Sequence, residues 1–145
     1  QNNFNPKNPA NPYEEYTIEN LYDFLSSYKL LKAPGEQIEY TNVGMGLLGH
    51  ILSLKTEQSY EEVIRKTICE KLGMVNTSIS LTDEMKMQFA QGHHLEKVAE
   101  YWDIPSLAGA GALRSTIKDM TKFLAPNMSS SNSTLANLMN QCHQE

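Results

Sequence analysis

The chain has 145 residues, enough for one domain with its own core, and 12 basic against 17 acidic side chains give a net charge of −5. That balance excludes a phosphate-backbone binder, which needs a basic face, and no apolar run reaches the roughly 18 residues of a membrane-spanning helix. With 40% apolar and 20% charged residues, the chain has the composition of a globular domain, not a disordered one. Two cysteines, Cys69 and Cys142, can close one bridge at most and do not define a disulfide scaffold. The chain opens on Gln1 with no signal-type segment, and it reads as a piece of a longer protein.

Residues 1–12 hold Pro6, Pro9 and Pro12 among several Asn and keep neither helix nor strand period, so they read as an extended arm or linker. Residues 13–145 then read as one lobe. Thr17 is a good N-cap for a helix with Ile18, Leu21, Tyr22 and Leu25 on one face. Ala33-Pro34-Gly35-Glu36 breaks the chain. A second helix is expected from Asn42, itself a good N-cap type, through Leu47, Leu48, Ile51 and Leu52. It keeps Gly44, Gly46 and Gly49, each costing about 1 kcal/mol against Ala, which predicts a close backbone approach.

The third helix is the best signalled: Ser59 and Glu62 form a capping box, Val63, Ile64, Ile68 and Leu72 the stripe, and Gly73 the stop. Thr77–Leu81 reads as a short strand and Thr82 as the cap of a short helix through Met87. Phe89–Ser115 reads as a long irregular stretch, a kind of segment that is often functional. Ser115 is then expected to cap a fourth helix with Ile117, Met120, Phe123 and Leu124 inward, ended by Pro126. After a Ser-rich joint, Ser129 to Thr134, a last helix carries Leu135, Leu138, Met139 and Cys142. The expected fold is mainly α, five helices with minor short β.

Several motifs match chemistry by letters alone. Gly44-Met45-Gly46-Leu47-Leu48-Gly49 fits the dinucleotide fingerprint, but Glu36–Tyr40 is too polar for the buried strand that motif requires, so helix packing is the better reading and no cofactor is expected. Ser26-Ser27-Tyr28-Lys29 and Ser115-Thr116-Ile117-Lys118 fit Ser-x-x-Lys, in which the amine takes the hydroxyl proton one helical turn away. Position favours a surface pair for the first and a cap for the second. His93-His94 with Glu96 lacks metal-ligand spacing, and no metal is expected there. Cys69 reads as a small buried hydrophobe. Formal glycosylation sequons start at Asn76, Asn127 and Asn132 and matter only in a eukaryotic secretory protein.

Pro34–Gly44 stands apart. Tyr40 and Asn42, two positions apart around an extended residue, can both project into a cleft just before a glycine-rich helix start. A phenol and a carboxamide there suit proton transfer and amide recognition. Core packing of Tyr40 with Asn42 as a helix cap explains the same spacing equally well.

The segment APGEQIEYTNVGMGLLGHIL resembles the Tyr-x-Asn region of the serine β-lactamase-like family, which includes class C β-lactamases, D-alanyl-D-alanine carboxypeptidases and esterases. VIRKTICEKLGMVNTSIS and LAGAGALRSTIKDMTKFL are similar to two later blocks of that family, in the same order. The resemblance implies the helical lobe of a serine hydrolase that forms an acyl-enzyme from a β-lactam, a D-Ala-D-Ala peptide or an ester. It implies Tyr40 as the general base and Asn42 as partner of the substrate amide and the family lysine. Neither Ser26 nor Ser115 fits the family order, since the nucleophile should lie far upstream of Tyr-x-Asn, and no Lys-Thr-Gly or His-x-Gly triplet occurs. The chain alone is therefore expected to be inactive, and a free phenol, with a pKa near 10, offers almost no phenolate at neutral pH. A non-catalytic binding module on the same scaffold is the alternative, and a dinucleotide binder a third reading. The expected partner is a small-molecule or peptidoglycan-type substrate shared with a missing α/β lobe, with no nucleic acid. Self-association through an exposed lobe face and a periplasmic or extracellular setting complete the expectations.

Overall fold

A computed structural model describes residues 4–128 and 133–144. The helices are α1 (Ile18–Ser27), α2 (Asn42–Thr56), α3 (Tyr60–Ile64), α4 (Glu70–Leu72), α5 (Asp83–Gln88), α6 (Ala108–Gly111), α7 (Ile117–Asn127) and α8 (Thr134–Gln141). A π-helical turn, Arg65–Cys69, joins α3 to α4, so the third predicted helix continues from cap to stop with one looser turn inside it. Two short strands, β1 (His93–His94) and β2 (Lys97–Val98), pair antiparallel. The chain is mainly α with minor β.

The caps explain several boundaries. The Thr17 hydroxyl accepts from the Asn20 amide while the Asn20 side chain accepts from the Thr17 amide, a reciprocal box at the start of α1. Ser59 and Glu62 make the same exchange before α3, and Gly73 takes φ +67 at the end of α4, where the left-handed turn favours glycine.

The core gathers Tyr16, Leu21, Val43 and Leu107, with Phe4, Tyr13, Phe24 and Ile104 packed around it. It sits between α1, the first turns of α2 and the start of α6. Here the glycines of α2 explain themselves. A Cβ on Gly46 would lie 2.5 Å from Leu107 Cδ2, and one on Gly49 would lie 2.9 Å from the Gly109 Cα. Only bare backbone lets α2 and α6 meet this closely, as the glycine count predicts.

Other expectations are corrected. The segment Phe89–Ser115 is not wholly irregular: it holds the β1–β2 hairpin and the single turn of α6. Thr77–Leu81 contributes only one bridge, in which Ser78 and Arg114 exchange backbone bonds of 3.0 and 2.8 Å. The cap of α7 is Thr116, whose hydroxyl accepts from the Asp119 amide, while Ser115 bonds the Thr77 hydroxyl at 2.7 Å. The buried face of the helix also differs from the predicted one. Ile117 is 86% exposed, Met120 and Leu124 are also exposed, and the buried residue of α7 is Asp119. α7 runs one residue past Pro126, to Asn127. In α8, Ala136 and Met139 are buried while Leu138 faces outward, as does Cys142 just past the helix end. The joint at residues 129–132, and the sequon residues within it, lie outside the described residues, as do residues 1–3.

Asp119 replaces the missing apolar stripe with a polar latch. Its carboxylate accepts from the Asn76 amide at 2.7 Å, the Thr77 hydroxyl at 3.1 Å and the Lys122 ammonium at 2.9 Å. Burial raises its pKa, but those donors outweigh it and hold the group below the usual carboxylate range. Glu61 makes a parallel latch, accepting from the Ile79 and Ser80 amides and the Ser80 hydroxyl. The two carboxylates tie the chain at residues 76–80 to α7 on one side and α3 on the other.

Candidate active site

Tyr40 ends the open connection from α1, and Asn42 is the first residue of α2. Thr41 occupies the cap position between them in extended conformation, φ −151 and ψ 131, and makes no side-chain cap bond. The extended residue puts both neighbouring side chains on one side of the chain, as their spacing predicts. The Tyr40 hydroxyl donates to Asn42 Oδ1 at 3.3 Å. The bland reading of the pair fails on both residues. Tyr40 is 87% exposed and does not pack into the core, and the Asn42 carboxamide turns away from the helix to meet two phenols.

The second phenol is Tyr13. Asn42 Nδ2 donates to its hydroxyl at 2.8 Å, so Tyr40, Asn42 and Tyr13 form one hydrogen-bonded row. The Tyr13 ring stacks on Phe4 with centroids 4.7 Å apart and meets the half-exposed Trp102 ring at 5.7 Å. Trp102 is held in turn by Arg114, whose guanidinium donates to its carbonyl at 2.9 Å. Nothing in the pattern of the Asn- and Pro-rich start, or of the segment before α6, marks Tyr13 or Trp102. They reach the site by tertiary packing, not by spacing.

The remaining candidates stay apart from this row. The Ser26 hydroxyl donates to the Asp23 carbonyl at 3.0 Å, and Ser115 is engaged with Thr77. Among the described residues, no hydrogen bond joins Ser26 to Lys29 or Ser115 to Lys118. His93 and His94 are exposed on the hairpin, and the described residues contain no group of three His, Cys, Asp or Glu placed to hold a metal ion. Cys69 is buried, and burial pushes its thiol up, followed by the charges of Asp119 and Glu70. This is the small buried hydrophobe that the sequence suggests.

A concavity of about 930 Å³ lies elsewhere, walled by Phe89, Tyr101, Ile104 and Arg114. It contains neither Tyr40 nor Asn42, and the Arg114 guanidinium there is already used by the carbonyls of Ile79 and Trp102.

A family model described as Beta-lactamase matches residues 1–141. A beta-lactamase of Psychrobacter immobilis is 29% identical over 116 residues, 77% of this chain and 29% of that protein. Beta-lactamase-like protein 2 of Dictyostelium discoideum is 31% identical over 120 residues, 77% of this chain and 20% of that protein. Among solved structures, a D-alanine carboxypeptidase of Burkholderia cenocepacia superimposes with TM-score 0.79 at 22% identity, over 92% of this chain and 39% of that one. A class C beta-lactamase of Rhodobacter sphaeroides gives TM-score 0.76 at 22% identity, over 91% and 38%. The fold is thus shared, and the chain spans less than two-fifths of these solved relatives and under a third of the two curated ones.

Proposed function

Because the chain belongs to the beta-lactamase family, matched over residues 1–141, we propose that it forms the helical half of a serine acyl-transfer site whose other half lies on an α/β lobe. In this reading residues 13–145 make the lobe and residues 1–12 its entry segment. The parent reaction is acylation of a serine by a β-lactam, a D-Ala-D-Ala peptide or an ester, followed by hydrolysis. Tyr40 serves as the proton carrier for that step, and Asn42 offers its carboxamide to the substrate amide. The observation that carries the reading is the row itself: an exposed phenol, 3.3 Å from a carboxamide that caps nothing.

The chain alone is inactive in this reading, because a proton carrier without a nucleophile forms no acyl-enzyme. Ser26 and Ser115 are spent on structure. No helix among the described residues is long and apolar enough to cross a membrane, and a peptidoglycan-type substrate would set the parent outside the cytoplasm. The exposed Leu30, Leu31 and Ile38 beside Tyr40 are apolar surface for another lobe to cover and, when bare, for self-association.

Intact-mass spectrometry after incubation with excess penicillin tests the assignment. The complete hydrolase should gain one penicilloyl group on a serine outside residues 1–145, and this chain none. Tyr40→Phe should slow that acylation by about a hundredfold or more, the range of a lost general acid–base group. An adduct at Ser26 or Ser115, or a wild-type rate in Tyr40→Phe, would overturn it.

A further inference from the structure

We infer that Tyr13 is a positioning residue for this site: its hydroxyl keeps the Asn42 carboxamide satisfied whichever way round it sits, so that Tyr40 can alternate between giving and accepting a hydrogen bond. The inference rests on the proposed role of Tyr40 and goes beyond it to a residue that neither periodicity nor motif marks.

In the structure, Tyr40 donates to Asn42 Oδ1 and Asn42 Nδ2 donates to Tyr13 Oη. This arrangement suits Tyr40 with its proton. Once that proton has gone to the substrate side, Tyr40 is an acceptor, and an acceptor facing Oδ1 is repelled. The carboxamide is nearly symmetric in shape, so a half-turn exchanges Oδ1 and Nδ2 without steric cost, and Nδ2 then donates to the Tyr40 oxygen. The far end of the amide needs a partner that tolerates the exchange. A hydroxyl does, because it accepts from Nδ2 in one state and donates to Oδ1 in the other. No proton passes through Asn42: the amide turns, and the hydroxyl hydrogen of Tyr13 turns with it.

Tyr13 is placed firmly enough for this. Its ring is held between Phe4 and Trp102. Its backbone lies in a turn in which the Tyr16 amide bonds the Tyr13 carbonyl at 3.0 Å. Two residues earlier the buried Asn11 accepts from the Asp103 amide at 2.8 Å, pinning that turn to the segment that carries Trp102. Asn42 is fixed by the start of α2. Only the amide and the two hydroxyls are free to turn.

The test is a double-mutant cycle in the complete hydrolase. Tyr13→Phe keeps the ring and its stacking and removes only the hydroxyl. We expect kcat for penicillin acylation to fall about tenfold or more with KM within about twofold, and thermal stability to stay near wild type. In an Asn42→Ala background the same change should do nothing further, because Tyr13 acts through Asn42. A wild-type kcat in Tyr13→Phe, or an equal loss in both backgrounds, would overturn the inference. If the hydrolase forms no acyl adduct, it is the proposed function that fails, and the inference is then decided by NMR of this chain. Tyr13→Phe should shift the Asn42 side-chain amide proton that now meets the Tyr13 hydroxyl, and an unchanged pair of amide protons would sink it.

Discussion

Gly49 and Gly109 meet backbone to backbone: a Cβ on Gly49 would sit 2.9 Å from the Gly109 Cα and 3.1 Å from its nitrogen. The reciprocal Cβ, on Gly109, would strike the Met45 carbonyl oxygen at 2.5 Å. Neither obstacle is the end of a flexible side chain, so the helices themselves must separate to admit a methyl group. Separation would loosen Leu107, which fills the core just before α6. Gly49→Ala should therefore destabilise by about 1–3 kcal/mol, although the same change in an exposed helix would stabilise by about 1 kcal/mol. Urea denaturation followed by circular dichroism checks the sign. A higher midpoint for Gly49→Ala would mean that the contact between α2 and α6 is not what holds these glycines.

Asp119 makes stability depend on pH. Burial raises its pKa, yet the Lys122 ammonium, the Asn76 amide and the Thr77 hydroxyl together hold it below the usual carboxylate value. A folded-state pKa below the unfolded one stabilises the fold above the unfolded value, about pH 4, and that contribution is lost as pH falls through the folded value. Glu61 shifts the same way, burial opposing it and the Ser80 and Ile79 donors prevailing, so the two losses add on acidification. Asp119→Asn should cost about 2–3 kcal/mol near pH 7, where a charged acceptor is replaced by a neutral one that also carries hydrogens. The gap between wild type and variant in urea midpoint should narrow steadily below pH 4. A gap independent of pH would show that the carboxylate charge contributes nothing.

The start of α7 offers a third check. Thr116 accepts from the Asp119 amide, whereas the Ser115 hydroxyl faces Thr77. Thr116→Ala should cost about 1 kcal/mol, the ordinary value of a cap, and Ser115→Ala less than half of that, since its bond is exposed. Thermal melts of the two variants in parallel decide it. Equal losses would return the cap to Ser115.

What was readable in the sequence divides along physical lines. The caps at Thr17, Ser59 and Thr82 depend on residues within one turn, and the sequence shows them directly. The close approach at Gly46 and Gly49 is legible as a cost that only packing explains, although its partner Gly109 is not. The face of α7 is misread because an apolar stripe is taken to point inward, whereas the buried residue is Asp119 and Ile117, Met120 and Leu124 are exposed. Beyond the nearby Lys122, little local says that the buried residue there is charged, because two donors to Asp119 come from Asn76 and Thr77, some forty positions away. Tyr40 and Asn42 stand out by spacing and resemblance, while Tyr13 joins them only through the packing of the chain's first turn on Trp102.

The connection from α1 to α2 leaves Leu30, Leu31, Ile38 and Tyr40 exposed, Ile38 at 99%. Isolated apolar side chains on a surface are ordinary, but these fall within one connection beside the proposed site. We propose that this surface, when no second lobe covers it, associates one chain with another. Sedimentation velocity over a hundredfold range of concentration should therefore show mass rising above the monomer at the upper end, with binding of a hydrophobic dye. Replacing Leu31 and Ile38 by Lys should restore the monomer without lowering thermal stability, because neither side chain packs in the core. A monomer at every concentration, with no dye bound, would mean that this connection folds onto the lobe in solution. It would also remove the apolar surface on which the proposed second lobe is expected to close.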